Sequence, residues 1–115
     1  MYAFEVGRHP ELVIHLRRHG GILLTCDSVQ NWDKRPPGCS TLGMVMSRLL
    51  GFKGRACVGP GWRKASEPRT GTSFGPRFRA LLDLEWKHLV SAHGPPVLGD
   101  AKDALRATID RLYPR

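Results

Sequence analysis

A chain of 115 residues is long enough for a single domain, residues 1–115, and leaves no room for a second. With 41% apolar residues it can fill a modest core, and no apolar run approaches the roughly 18 residues that cross a bilayer. The net charge of +8 favours acidic or phosphate-bearing partners, while Met1-Tyr2-Ala3-Phe4-Glu5-Val6 has neither a basic leader nor an apolar h-region, so a cytoplasmic protein is expected.

Tyr2, Phe4 and Val6 alternate with Ala3 and Glu5, the period of a short strand, which Gly7-Arg8-His9-Pro10 interrupts. Leu12-Val13-Ile14-His15-Leu16 and Ile22-Leu23-Leu24-Thr25-Cys26 predict two further antiparallel strands, joined by a hairpin at Arg17-Arg18-His19-Gly20-Gly21. The second of these runs is almost wholly apolar, as in a strand covered on both faces. Ser28 to Ser40, with Pro36-Pro37-Gly38 inside it, reads as loop.

Leu42, Val45, Met46, Leu49 and Leu50 then recur at helical spacing from Thr41 to Gly51. Phe52 to Gly75 is rich in glycine, proline and arginine and reads as a long connection. A second helix begins near Pro76 and presents Phe74, Phe78, Leu81 and Leu82. His88 to Ala92 predicts a strand that stops at His93-Gly94-Pro95-Pro96. The last helix starts at the N-cap residue Asp100 and carries Leu105, Ile109 and Leu112 on one face. The expected order is β-β-β-α-α-β-α, an α/β arrangement with a mostly antiparallel sheet and helices on one face.

Three residues sit just past predicted strands, where α/β sheets place their chemistry: His9, Asp27 and His93. Imidazole and carboxylate together suit zinc, iron or manganese. Asp27 leaves an apolar run directly, so its carboxylate must emerge at the sheet rim, where a cation would be a suitable partner. Each also has a plainer reading: Asp27 as a turn cap, His93 as a histidine bonded to a carbonyl, His9 as an exposed turn residue. His15, His19 and His88 read as surface or core-edge residues. Cys26, Cys39 and Cys57 lack metal-finger spacing and read as reduced, buried thiols.

Between Arg48 and Arg79 the chain carries Arg48, Lys53, Arg55, Arg63, Lys64, Arg69, Arg77 and Arg79 against the single acid Glu67. Such a stretch could meet phosphates, an acidic partner or only water, and no nucleic-acid recognition motif accompanies it.

Gly20-Gly21-Ile22-Leu23-Leu24-Thr25-Cys26-Asp27-Ser28-Val29-Gln30 resembles the strand of metallo-β-lactamase-fold proteins that ends in Gly-Asp. Leu89-Val90-Ser91-Ala92-His93-Gly94-Pro95-Pro96-Val97 is similar to their last ligand segment, a strand ending in His-Gly. Gly99-Asp100-Ala101-Lys102 and the following helix match the usual ending. Gly7-Arg8-His9-Pro10-Glu11 falls near the family's Gly-His-Thr/Ser-Pro-Gly. His9 is out of step there by about one residue, which puts Arg8, unable to bind metal, near the ligand position. The likeness runs from about Gly7 to the end of the chain. The His-x-His-x-Asp-His signature that supplies most of the first metal's ligands is absent, and Cys26 stands where glycine is usual.

The resemblance implies one half of an αββα sandwich, the C-terminal half, with a partial dinuclear site. Asp27 would bridge two metals, His93 would hold the second, and His9 would add a further ligand, in that order of expectation. The metals would be divalent, zinc foremost, with weak or absent occupancy in this chain, and the substrates of the complete protein would have ester-like bonds. Lacking the other half, the chain is expected to be inactive alone and to expose an apolar sheet face, giving a homodimer or a complex with the missing N-terminal half. Two other classes stand beside this hydrolase reading. A nucleic-acid-binding module would lose affinity steeply with salt, and a non-catalytic interaction domain would bind no stoichiometric metal.

Overall fold

Three short strands in succession lay down most of one sheet. In a computed structural model, which describes residues 2–4, 11–32, 40–50, 54–64 and 73–114, β1 (Tyr2–Phe4), β2 (Glu11–Leu16) and β3 (Ile22–Thr25) are antiparallel neighbours. The β2–β3 hairpin turns at His19, Gly20 and Gly21, all with positive φ. The sheet is completed by β6 (His88–Ser91), which lies parallel to β3 with Ile22 opposite His88 and Thr25 opposite Ser91. The order is β1-β2-β3-β6.

The segment 28–40 read as loop holds β4 (Val29–Trp32), and the long connection after Phe52 holds β5 (Gly54–Val58). These two pair with each other as a separate antiparallel sheet. Neither shows an apolar alternation, because β4 buries Gln30 and Asn31 and β5 is irregular. Gln30 faces Cys57 and Trp32 faces Gly54, so the β5 side has one extra residue, and Ala56 within it takes a left-handed φ of 48°. Pairing therefore corrects the expected order to β-β-β-β-α-β-α-α-β-α.

Helix α1 (Thr41–Leu49) forms where the apolar spacing places it, with Ser40 Oγ accepting the Gly43 amide at 3.0 Å. A helical stretch at 60–64, α2, follows β5 directly. Helix α3 (Gly75–Leu82) has Pro76 in its first turn and buries Phe78, Leu81 and Leu82. Helix α4 (Ala101–Leu112) buries Ala101, Leu105, Thr108 and Ile109. Asp100 is its N-cap residue but makes no side-chain cap. Its carboxylate instead takes both guanidinium nitrogens of Arg55 on β5, with Nη1–Oδ2 at 3.0 Å.

The core lies between α3, α4 and one face of the sheets. Val13, Leu23 and Leu89 point into it from β2, β3 and β6, and Phe74, Phe78, Leu81, Leu105 and Ile109 meet them from the helical side. Trp86 closes one end by donating Nε1–H to Leu81 O at 2.7 Å. Helices α3 and α4 thus stand on one face, as expected, whereas the core includes no residue of α1. No described element covers the other face, where Leu12, Ile14 and Leu16 are 55%, 42% and 39% exposed and Val90 is 38% exposed. The expectation that β3 is covered on both faces is corrected here, since Leu23 and Thr25 are buried and Ile22 and Leu24 only half so. No described helix is long and apolar enough to cross a membrane.

Candidate metal centre

The site follows from the strand register. Because β3 and β6 are parallel and Thr25 is level with Ser91, the residues two positions beyond each strand leave the sheet at the same rim. Those residues are Asp27 and His93. Neighbouring strands are about 4.8 Å apart, close enough for the two side chains to meet. His93 Nε2 lies 2.9 Å from Asp27 Oδ1, with side-chain exposures of 42% and 55%.

Both loops are tied down by backbone. Ser91 Oγ donates to Val29 O at 2.7 Å and accepts the His93 amide at 3.1 Å, fixing the first residues after β6 against β4. The Ala92 amide donates to Thr25 O, and Thr25 Oγ1 donates to Val29 O at 2.7 Å. Asn31 holds the outer part of the loop, its amide donating to His93 O at 2.9 Å and its Nδ2 to Pro95 O at 2.8 Å. Trp32 stacks near the His93 ring, centroids 6.5 Å apart and planes 22° from parallel. The imidazole is therefore positioned by β4, an element the sequence did not reveal.

Two glycines permit this approach. Gly94 has φ 101°, and a Cβ there would run into Asn31 O. A Cβ on Gly59 would collide with Asp27 O, because the Gly59 amide donates to Ser28 O at 3.0 Å and packs its chain against the aspartate turn.

A third potential donor joins the pair. Ligand atoms of Cys26, Asp27 and His93 lie within 4.8 Å of one another, and all three face solvent. The reading of Cys26 as a buried thiol is thereby corrected; Cys57 is buried, and Cys39 lies outside the described residues. The strand-end position that singled out Asp27 applies equally to its neighbour Cys26, and that is the signal by which the thiol was legible. His9 also lies outside the described residues.

The donor set fits a transition metal. Thiolate, carboxylate and imidazole bind zinc at about 2.0–2.3 Å, which puts tetrahedral donors roughly 3.2–3.8 Å apart. Opening the Asp27–His93 contact by a few tenths of an ångström would reach that spacing. With three donors, a fourth position stays open to water. Beside the site, Ser28 Oγ and Asn31 Oδ1 are buried with no hydrogen-bond partner among the described residues.

The remaining described histidines have structural partners or lie apart. His88 donates Nε2–H to His19 O at 3.0 Å and accepts the Gly99 amide on Nδ1 at 2.9 Å, and His15 Nε2 donates to Glu85 O at 2.7 Å. His19 is an exposed turn residue with φ 52°. Part of the basic stretch is likewise engaged within the chain. Arg55 binds Asp100, Arg63 lies 4.7 Å over the Tyr113 ring, and Arg79 binds Asp110 at 2.9 Å and Tyr113 O at 2.7 Å.

No protein-family model, curated protein or solved structure matches the chain.

Proposed function

We propose that this chain is the metal-holding half of a metal-dependent hydrolase, with Asp27, His93 and Cys26 as ligands of a divalent ion. Zinc suits the donors best; iron or manganese would suit the imidazole–carboxylate pair. In this reading the sheet with helices on one face is half of a metallo-β-lactamase-like αββα sandwich. A second half would supply the remaining ligands, with His9 as a further donor from this chain. The bound metal would polarise an ester-like bond and activate water. This chain's own part is to hold the ion at the rim through side chains fixed by Ser91, Asn31 and Trp32. Alone, it is expected to bind metal and to turn over little substrate.

The observation that carries the proposal is the convergence of Asp27 and His93, 66 positions apart in the chain, to 2.9 Å at a solvent-facing rim, with a thiol in reach. An aspartate–histidine hydrogen bond serving only the turn would give the same contact, and metal titration separates the two. Metal binding must displace the proton between Nε2 and Oδ1, so affinity should fall as pH falls. Zinc at about a hundred times its dissociation constant should stabilise the fold by about 2.7 kcal/mol, roughly 10 °C in melting temperature. Asp27→Ala and His93→Ala should each abolish that shift, and Cys26→Ser should weaken it. A melting temperature indifferent to zinc and manganese, or a shift surviving both alanine variants, would end this reading.

A further inference from the structure

Two apolar surfaces of this chain lack a partner among the described residues. The first is α1, where Leu42, Val45, Met46 and Leu49 form one stripe and are 72%, 49%, 51% and 77% exposed. None of them belongs to the core. A helix of nine residues is too short to hold itself together in water, where roughly 12–15 residues are marginal, so α1 needs a surface to lie on. The second is the outer face of the four-stranded sheet. There, Ile14, Leu24 and Val90 form one row across β2, β3 and β6, and Leu16 and Ile22 stand in the next. Three strands make a patch about 10 Å wide, the diameter of a helix, and the stripe from Leu42 to Leu49 is about 10 Å long.

We infer that two copies of this chain associate reciprocally, α1 of each lying across the outer sheet face of the other. The area decides for a second copy. The exposed apolar residues of stripe and face together offer something on the order of 800 Å² per protomer, so burying most of them would approach a standard stable interface. The sheet face alone offers less than half of that. A twofold arrangement covers both surfaces at once and closes on itself. Charge permits it, because Arg48 is the single ionised side chain of α1 and the face is apolar but for His88, which stands beside Ile22 with both ring nitrogens bonded to backbone. The +8 chains still repel at long range, so salt should strengthen the pairing by screening, whereas binding to a polyanion weakens with salt. The inference uses none of the metal ligands, and it gives to a second copy the face that the sandwich reading gives to a second half.

Sedimentation velocity on the full chain at increasing concentration and salt tests it. The expected result is one closed species of about twice 12.8 kDa, favoured by salt. Leu49→Glu on α1 and Ile14→Glu on β2 should each weaken association at least tenfold. Both positions are exposed enough for the variants to fold, which an unchanged far-ultraviolet circular dichroism spectrum would confirm. An equal mixture of the two variants should dimerise better than either alone, since one intact helix then meets one intact face. A monomer under all conditions, as when α1 folds back on its own sheet, overturns the inference. So does an open series of larger species, or a dimer that survives both substitutions.

Discussion

The two faces of the four-stranded sheet are built from the same kinds of residue and end up in different environments. On the inner face Val13, Leu23 and Leu89 are at most 1% exposed under α3 and α4; on the outer face Leu12, Ile14, Leu16 and Val90 range from 38% to 55% exposed. Nothing in β-propensity or side-chain size separates them. What differs is supply: the helices after β5 provide the aromatic and aliphatic side chains that fill the inner layer, and no described element supplies the outer one. An apolar run in a sequence states which surfaces must be covered, not by what.

The comparison can be broken most directly by truncating one residue on each face. Leu23→Ala removes a fully buried side chain from the cluster that holds Phe74, Phe78 and Leu89, and should cost about 2–5 kcal/mol in chemical denaturation. Ile14→Ala on the opposite face should cost well under 1 kcal/mol at dilutions where the chain is monomeric. Equal losses at the two positions would mean that the outer face is already covered.

A smaller effect sharpens the contrast at the rim where the two faces meet. Gly94→Ala places a methyl group against Asn31 O at a backbone angle hostile to any side chain. A cost of about 1–3 kcal/mol is expected, together with displacement of His93 from Asp27. A changed chemical environment of the His93 ring in NMR at unchanged secondary structure would check it. Full stability in the Gly94→Ala variant would contradict the tight loop.

How much of this was legible beforehand follows the same logic. Helices α1, α3 and α4 and strands β2, β3 and β6 declare themselves through periodicity, and the inward set Phe78, Leu81, Leu105 and Ile109 could be listed from spacing alone. The rim placement of Asp27 and His93 was legible too, because each stands just past a predicted strand. Strands β4 and β5 were not. Gln30 and Asn31 are buried for their hydrogen bonds rather than their apolar surface, and Ala56 takes a conformation that propensity assigns to glycine or asparagine. With β4 hidden, so was the support that positions His93, and Cys26 was read by its residue type rather than by its place beside Asp27.

The smallest expected effect lies at the helical layer, where Arg55 of β5 joins Asp100 ahead of α4. The Arg55 guanidinium, chiefly by hydrogen bonding and further by its charge, holds the Asp100 carboxyl below its usual range of about 3.8, against a weaker opposing effect of desolvation. A carboxyl whose folded value lies below its unfolded value contributes stability above the unfolded value, and loses it as pH falls through the folded one. The pair is exposed, so screening keeps the contribution small, and it should shrink further in high salt. Arg55→Met should therefore lower the melting temperature slightly near pH 7, and the gap to the parent should close below about pH 4. It should also return the Asp100 titration midpoint toward the ordinary carboxylate value in carbon-detected NMR. A midpoint unmoved by the substitution would show that the two side chains do not pair in solution, and that α4 is held by its buried apolar residues without help from charge.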